Sequence, residues 1–282
     1  MGDDDPNDPD PDLDIPFAQE SAQRLGLDLD FVNWHHEINW ANYDAAIIRS
    51  TWDYVPVRDK FIDWVKDVSK KIPVFNSAEI IEWNTNKKYL IELDKLGIPT
   101  IPTKYISRGE NIETVLIESF ANSSALAIKP TIGAGARLAG KATSIEQSKK
   151  LVEVIHENNR IAMVQPYLES VDKEGEKSVI IIDGQISHVA IKVPALTQGG
   201  HGDAADVGVL TDEITDFVIN LKEKLVFWDE LLYARVDVVR MENNLVLMEL
   251  ELTEPWLFMQ FRPESADLLF KALQKRVVSL QG

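Results

Sequence analysis

The sequence predicts an α/β protein with a small parallel-sheet domain at the N-terminus, followed by a larger region of helices and β-hairpins. Two observations support this prediction. Residues 17–76 alternate helical and strand patterns, which is typical of a parallel sheet with crossover helices. Residues 234–252 contain two runs rich in β-forming residues on either side of Asn243 and Asn244, a pattern that predicts a β-hairpin.

The individual elements follow from the spacing of apolar residues and from helix stop signals. In the N-terminal part, the patterns predict helices at 17–25 and 58–71 and short strands at 27–32, 45–48 and 73–75. Further along, they predict helices at 86–96, 110–120, 144–157 and 212–226, and a final helix from Pro263. The remaining predicted strands are 125–129 and 161–165, with a hairpin at 179–193 that turns at Asp183-Gly184.

The composition excludes several classes of function. The chain has no cysteine, which excludes disulfides, thiolate metal sites and a cysteine nucleophile. A net charge of −17 argues against a nucleic-acid partner, because phosphate would be repelled. No apolar run is long enough to cross a bilayer, so we expect a cytoplasmic protein without a membrane partner. Residues 1–14 contain seven Asp and no basic residue, so we expect residues 1–16 to be disordered or a loop.

Three carboxylates lie in the predicted hairpin at 234–252. Glu249 and Glu251 are two residues apart and therefore share one face of their strand, and an in-register hairpin brings Asp237 close to them. Carboxylates in such apolar strands need a counter-charge, and Mg²⁺ with oxygen ligands supplies it. The alternative is that each acid simply lies on a solvated face, but the three together, beside Arg235, favour the metal.

Several other segments offer groups for a phosphate ligand. Lys129 precedes a loop of small residues at 133–136, whose backbone N–H groups could approach phosphate; a tight turn is the alternative. Lys87 stands at a predicted helix start, where a bound anion or plain solvation would explain it. Lys192 lies in an apolar strand, where burial demands a partner. Residues 165–168 end a strand and could present backbone groups to adenine.

The order of these pieces resembles the ATP-grasp superfamily, in its glutathione-synthetase-like branch, over residues 76–258. Within that branch the chain is similar to the O-ureido-serine cyclo-ligase group of D-cycloserine biosynthesis. The segments that carry the resemblance are 49–54 (RSTWDY), 83–87 (WNTNK), 165–168 (QPYL) and 249–255 (ELELTEP).

The resemblance implies a pre-ATP-grasp domain at 17–83 and an ATP-grasp domain at 84–282, whose two α+β subdomains clasp ATP; residues 125–168 form the small lid subdomain. It also implies roles for individual residues. The phosphates would be held by Lys87 and Lys129, with Gly133, Ala134, Gly135 and Ala136 as the loop over them. Adenine would meet Gln165, Tyr167 and Leu168, and the ribose Glu176. Lys192 and Arg235 would face the transferred phosphate, and Asp237, Glu249 and Glu251 would bind two Mg²⁺ ions.

The implied activity is ATP-dependent ligation of a carboxylate and an amine through an acyl phosphate, on a small amino-acid-like substrate. An intramolecular cyclo-ligase, an intermolecular amino-acid or peptide ligase and a non-catalytic nucleotide-binding protein are the alternatives. Arg49 is expected either to hold the substrate carboxylate or to form a structural salt bridge. The loop at 199–202 is expected either to close on substrate or to be a surface loop. A homodimer is expected, and deletion of residues 1–14 is expected to have little effect.

Three features depart from the superfamily pattern. The second metal position, often Asn, is Glu251, which keeps an oxygen ligand and adds charge. A small residue is expected at position 256, and Trp256 is expected to reshape the acceptor pocket. Finally, such domains usually begin with an apolar strand before the acidic loop, so we expect a first strand to be missing from this chain.

Overall fold

The structure, a computed structural model, describes residues 12–193, 196 and 204–281. Its described strands form three sheets of two, five and four strands. Most of the acidic segment at 1–16 and the glycine-containing loop at 199–202, for which the sequence makes predictions, lie outside the described residues.

The elements have the following bounds. Helices α1 to α9 occupy Ile15–Leu25, Arg58–Ser69, Ala78–Asn84, Tyr89–Lys95, Ile112–Phe120, Ile145–Glu157, Ser170–Glu174, Asp212–Lys224 and Glu264–Gln281. Strands β1 to β11 occupy Ala46–Ile47, Val74–Phe75, Lys104–Ile106, Leu126–Pro130, Gly140–Ala142, Ala162–Pro166, Glu176–Ile182, Gln185–Lys192, Ala204–Gly208, Tyr233–Met241 and Asn244–Glu251.

Two local predictions are wrong. Residues 27–32 form no strand, because Val32 packs against the N-terminal core without pairing to a neighbouring strand. The turn of the β10–β11 hairpin is Glu242-Asn243 and not Asn243-Asn244, because Met241 already pairs with Asn244. Glu242 has a positive φ of 55°, as a two-residue hairpin turn requires.

The N-terminal sheet is small and parallel, as the sequence predicts. Ala46 pairs with Val74 and Ile47 with Phe75. Helix α2 covers it with one apolar face, on which Phe61 and Val65 are completely buried. The 3.6-residue spacing of this face explains both the helix and its position.

The five-stranded sheet is antiparallel, with the order β11-β10-β7-β8-β9. Its two faces differ because successive side chains of a strand point to opposite sides. Val236 and Val238 of β10 belong to an apolar core with Ile214, Val218 and Leu221 of α8. The intervening residues of β10 therefore face the other side.

The four-stranded sheet is also antiparallel, with the order β3-β6-β4-β5. Helices α5 and α6 pack on it through Leu116, Val152 and Ile155, which are fully buried with Ile128 of β4. No helix in the described part of the chain is long and apolar enough to span a membrane.

Candidate active site

One face of the five-stranded sheet carries a row of charged residues that the strand register brings together. Asp237 lies opposite Glu249, and Arg235 lies opposite Glu251. On the adjoining pair of strands, Lys192 lies opposite Glu176. Directly opposed residues of antiparallel strands point to the same side, so residues predicted from separate segments of the sequence share one surface.

A cavity of about 240 Å³ lies over this charged face and extends to the four-stranded sheet. Most of the residues predicted to bind ATP, metal or the transferred phosphate line it: Lys87, Lys129, Gly133, Ala134, Gly135, Ala136, Gln165, Tyr167, Leu168, Glu176, Lys192, Arg235, Glu249 and Glu251. Two predicted residues, Asp237 and Arg49, are not among its lining.

Asp237 is the buried anchor of the charged face. Its carboxylate accepts hydrogen bonds from Arg235 Nε at 2.9 Å, Lys192 Nζ at 2.9 Å and Ser178 Oγ at 2.6 Å. Burial alone would raise the pKa of Asp237, but Arg235 and Lys192 outweigh it and hold that pKa far below the usual value. Asp237 therefore stays ionised and orients both cations. Arg235 also donates to Glu251 Oε1 at 2.5 Å.

Lys192 bridges two carboxylates, since its Nζ contacts Glu176 as well as Asp237. Burial raises the pKa of Glu176 to about 7, although the Lys192 ammonium lowers it. Burial and Arg235 lower the pKa of Lys192, yet Asp237 and Glu176 raise it above the usual value. The lysine remains charged in the cavity wall.

The two phosphate-site lysines differ in their partners. Lys87 Nζ lies 2.8 Å from Glu249 Oε1 and donates to the Gly133 carbonyl at 2.6 Å. Lys129 makes no hydrogen bond or ion pair within the described part of the chain, and burial lowers its pKa, with Lys87 adding to the effect. Lys129 is thus a half-buried ammonium whose N–H donors have no partner in the described part of the chain, as an anion site requires.

The loop of small residues after β4 has an unusual backbone. Gly135 and Ala136 both have positive φ values, 59° and 57°. Glycine suits the first position because the left-handed region strains other residues, and Ala136 adopts it at some cost. A side chain on Gly133 would come 3.0 Å from Pro130 Cγ. The loop therefore presents backbone and no side chain larger than a methyl group at positions 133–136 to the cavity beside Lys87.

The end of β6 and the segment after it form another wall of the cavity. Gln165 is buried, and its Nε2 donates to Thr103 Oγ1 at 2.8 Å. The Tyr167 ring has the Lys141 ammonium 3.7 Å from its centroid. Leu168 packs with Ile101 and with other apolar residues at this end of the cavity. This wall offers an apolar surface to a flat ring.

Arg49 forms a structural salt bridge, one of its two predicted roles. Its Nη2 lies 2.9 Å from Asp14 Oδ2, and the guanidinium lies 5.4 Å from the centroid of the Tyr233 ring. Asp14 also accepts backbone N–H groups of Leu257 at 2.6 Å and Met259 at 2.9 Å. The pair ties the start of α1 to the segment after β11.

Two asparagines that the sequence analysis did not single out position the hairpin. Asn84 donates to the Leu250 carbonyl and accepts from the Leu252 N–H, each at 2.7 Å. Asn76 donates to the carbonyls of Tyr233 and Leu252. Buried Asn side chains that bond backbone edges carry no periodic signal, although Asn84 does fall in the quoted segment 83–87.

Glu254 is a further cavity residue that the sequence analysis did not assign. It lines the cavity with Trp52, Tyr54 and Trp256. Burial and the neighbouring Glu251 raise the pKa of Glu254 to about 8. Its only sequence signal is its place in the segment 249–255, because spacing alone does not separate it from Glu251.

The donor set fits a divalent cation. Glu249 and Glu251 bring carboxylate oxygens to one side of the cavity, and these are the ligands Mg²⁺ prefers. Burial raises the pKa of Glu251 despite Arg235, and Glu249 and Asp237 add to the effect. Among the described side chains, however, no three His, Cys, Asp or Glu residues converge as a metal-binding group, because Asp237 is engaged with Arg235 and Lys192.

Comparison with known proteins identifies relatives of the same architecture. A family model described as the N-terminal domain of D-cycloserine synthetase DcsG matches residues 2–76. The chain is 25% identical to the cycloserine biosynthesis protein DcsG of Streptomyces lavendulae, over 94% of both chains. The crystal structure of D-cycloserine synthetase DcsG matches with a TM-score of 0.86 at 24% identity, over 94% of this chain and 95% of that one.

A more distant structure extends the comparison. The D-alanine–D-alanine ligase from Bacillus anthracis, complexed with ATP, matches with a TM-score of 0.65 at 14% identity, over 94% of this chain and 93% of that one. The match shows that the two chains share a fold. Taken with the sequence match along nearly the whole chain, the architecture shows that the chain has the fold of these ligases and is similar to D-cycloserine synthetase DcsG.

Proposed function

We propose that this protein activates the carboxylate of a small amino-acid-like substrate as an acyl phosphate and then closes an amide bond within the same molecule. The observation that carries the proposal is the convergence of four cations on one cavity that also holds paired carboxylates. Lys87, Lys129, Lys192 and Arg235 all line it. Such a concentration of positive charge suits a polyphosphate whose terminal group is transferred.

The walls suggest how ATP would lie. The apolar end at Ile101 and Leu168 suits adenine, and Glu176 suits the ribose hydroxyls. The loop of small residues at 133–136, beside Lys87, and the unpaired Lys129 suit the phosphates. Lys192 and Arg235, on the charged face of the five-stranded sheet, would meet the terminal phosphate and the substrate.

Mg²⁺ would be held by Glu249 and Glu251, with Asp237 as a third ligand if it exchanged partners, and we propose two ions as the resemblance implies. When bound, the metal would neutralise charge on the phosphate oxygens. Side chains of the protein would stabilise the remaining charge on the transferred group. Arg235 is pre-oriented by Asp237, so it needs no reorganisation to stabilise charge on the transferred group.

The proposed reaction has two steps. A carboxylate oxygen of the substrate attacks the terminal phosphorus of ATP, and the bond to the ADP oxygen breaks. A nitrogen of the same substrate then attacks the acyl carbon, loses a proton, and the carbon–oxygen bond to phosphate breaks. The protein contributes position and charge without a covalent nucleophile.

Two considerations bear on the substrate. The relative that matches nearly the whole chain is named a D-cycloserine synthetase, which supports an intramolecular reaction. The match to a D-alanine–D-alanine ligase supports the intermolecular alternative, in which a second molecule supplies the amine. The nature of the product distinguishes them.

The test measures ADP release with Mg²⁺ and ATP across D- and L-amino acids, dipeptides and O-ureido-serine, with and without hydroxylamine. Acid-dependent ADP release with a hydroxamate in the presence of hydroxylamine is expected, and a cyclised product from one acid alone in its absence. ADP release without any hydroxamate would contradict the acyl phosphate. A product that requires a second amino acid would replace the cyclo-ligase with the intermolecular alternative.

A variant pair checks that the measured activity belongs to this site. Glu249→Gln is expected to lower turnover by at least about 100-fold, because it removes a charged ligand and the partner of Lys87. Glu113→Gln, an exposed residue of α5, is the matched control and should keep wild-type turnover. Normal turnover by Glu249→Gln would rule out this cavity as the active site.

A further inference from the structure

The end of the cavity beyond Arg235 has its own chemical character. The segment after β11 meets the 3₁₀ turn Trp52–Val57 here, and Trp52 Nε1 donates to the Glu254 carbonyl at 3.0 Å. The rings of Trp52 and Trp256 cross edge to face, with centroids 5.4 Å apart and planes at 84°. Tyr54 and Glu254 complete this end of the cavity lining.

Glu254 differs from the other carboxylates that line the cavity, because no cationic side chain in the described part of the chain lies within ion-pair distance of it. Each of the other three lies within ion-pair distance of one: Glu176 of Lys192, Glu249 of Lys87 and Glu251 of Arg235. No ion pair involves Glu254 in the described ranges, and its polar neighbour is the Tyr54 hydroxyl, which donates a hydrogen bond to it. A carboxylate placed in a cavity wall and left without a cation is suited to receive one from a ligand.

The aromatic neighbours favour the same kind of ligand. The π faces of Trp and Tyr attract an ammonium group, and Trp is the strongest of the aromatic side chains in this respect. The two indole rings and the Glu254 carboxyl group therefore line the same end of the cavity and offer an ammonium group an oxygen acceptor and a polarisable wall together. They also occupy space that a smaller residue at position 256 would leave open, so they restrict the ligand to a small one.

We propose that Glu254, walled by Trp52 and Trp256, binds the free ammonium group of the substrate, which makes the substrate an unacylated α-amino acid with a short side chain. The inference rests on the proposed function, because it takes the reacting carboxylate to lie beside Arg235. Tyr54 is a positioning residue, since its hydroxyl orients the Glu254 carboxylate. The ammonium bound here is distinct from the nitrogen that attacks the acyl phosphate.

The experiment compares two acids that differ only in the ammonium group, O-ureido-serine and its deamino analogue 3-(ureidooxy)propanoic acid, on wild type and Glu254→Gln. KM and kcat are measured by ADP release, and binding of each acid by calorimetry with a non-hydrolysable ATP analogue. In wild type, loss of the amine is expected to raise KM by about 30-fold or more. In Glu254→Gln the two acids should differ by less than about threefold, while binding of the ATP analogue stays at the wild-type level.

The controls separate this proposal from the proposed function. Glu113→Gln should keep the wild-type discrimination between the two acids. Equal KM values for the two acids in wild type would refute the ammonium site and leave the ligase proposal standing. Discrimination that survives in Glu254→Gln would refute the role of Glu254. If wild type shows no turnover with either acid, the cyclo-ligase proposal fails on this substrate, and calorimetry decides the ammonium site: equal or absent binding of the two acids refutes it.

Discussion

Two buried arginine–aspartate pairs contact the segment that follows β11, and they have different uses. The side chains of Arg49 and Asp14 are 11% and 4% exposed, and those of Arg235 and Asp237 are 7% and 0% exposed. Burial therefore does not distinguish the pairs. What differs is where the remaining hydrogen bonds go.

Asp14 directs its other bonds to backbone N–H groups of Leu257 and Met259, which closes that pair within the fold. Arg235 donates one further bond to the Trp256 carbonyl at 3.3 Å and another to Glu251, which lines the cavity and can exchange partners when a ligand enters. A buried ion pair becomes available for chemistry when one of its secondary partners faces a cavity. Otherwise the same residue types only hold segments of the fold together. We call the Asp14–Arg49 pair, with its bonds to Leu257 and Met259, the clamp.

The largest expected effect comes from making the same substitution in each pair. Arg235→Met should lower turnover by at least about 1000-fold, because charge on the transferred phosphate loses its oriented cation. Arg49→Met should lower the free energy of unfolding by about 3 kcal/mol, because it leaves Asp14 buried without its cation. Turnover per folded Arg49→Met molecule, measured well below its melting temperature, should fall less than about tenfold.

A 1000-fold loss in folded Arg49→Met would restore the alternative that Arg49 holds the substrate carboxylate. Folding is followed by circular dichroism and calorimetry, and turnover by ADP release. Near-normal turnover in Arg235→Met would remove Arg235 from the proposed reaction.

A second pair of substitutions separates a satisfied lysine from an unsatisfied one. Lys129→Met should leave the free energy of unfolding unchanged or raise it by about 1 kcal/mol, because a half-buried ammonium without a partner is removed. Lys87→Met should lower it by about 1–3 kcal/mol, because Glu249 loses its ion pair. Both should weaken ATP binding, measured by calorimetry, by at least about tenfold.

The informative quantity is the difference in the free energy of unfolding between Lys129→Met and Lys87→Met. Equal destabilisation by both substitutions would mean that Lys129 has a structural partner, and it would weaken its assignment to a phosphate. Unchanged ATP affinity in Lys129→Met would contradict that assignment directly.

Substitution of Asp14 tests whether the clamp stabilises the protein. Asp14→Asn should lower the free energy of unfolding by about 2–3 kcal/mol, since Arg49 loses its counter-charge and two backbone N–H groups share a neutral acceptor. Asp28→Asn, at an exposed position nearby, should change it by less than about 0.5 kcal/mol. Chemical denaturation of the three proteins provides the comparison.

The same contacts change one expectation from the sequence. Deletion of residues 1–14 was predicted to have little effect, but it would remove Asp14 from its buried bonds. We now expect the deletion to destabilise the protein at least as much as Asp14→Asn. A deletion variant with wild-type stability would show that the clamp contributes nothing.

Local spacing predicts the elements well and the contacts between distant segments poorly. The period-two placement of Glu249 and Glu251 was sufficient to put them on one face, and their strand register confirms that they lie opposite Asp237 and Arg235. The parallel pairing of β1 and β2 likewise follows from the alternation of elements. In both cases the signal is repeated along several consecutive residues.

Contacts made once, by a single polar side chain, leave no such signal. The Asp14–Arg49 pair joins residues 35 positions apart, and Asn84 reaches Leu252 across 168. Nothing in the acidic composition of the first residues separates the buried Asp14 from the other aspartates of residues 1–14. The hairpin turn was misplaced by one residue for a related reason, because Arg240 pairs with Leu245 and thereby sets the register.

The smallest expected effect concerns a second contact to the segment that Asp14 holds. His188 is buried, its Nε2 lies 3.1 Å from the Phe258 carbonyl oxygen, and its Nδ1 lies 3.0 Å from Ser187 Oγ. Burial lowers the pKa of His188 below 6.5, and the bond to the Phe258 carbonyl only partly opposes this. The folded state therefore takes up a proton less readily than the unfolded chain.

The sign of the pH effect follows from that difference. The contribution of His188 is complete above about pH 6.5 and is lost as the pH falls below that value, because only the unfolded chain then gains the proton. His188→Gln should reduce the loss of stability between pH 7 and pH 5 by about 1 kcal/mol or less. His36→Gln, exposed and remote, should leave the wild-type slope unchanged in the same urea titrations. An unchanged slope in His188→Gln would show that His188 does not contribute to the loss of stability between pH 7 and pH 5.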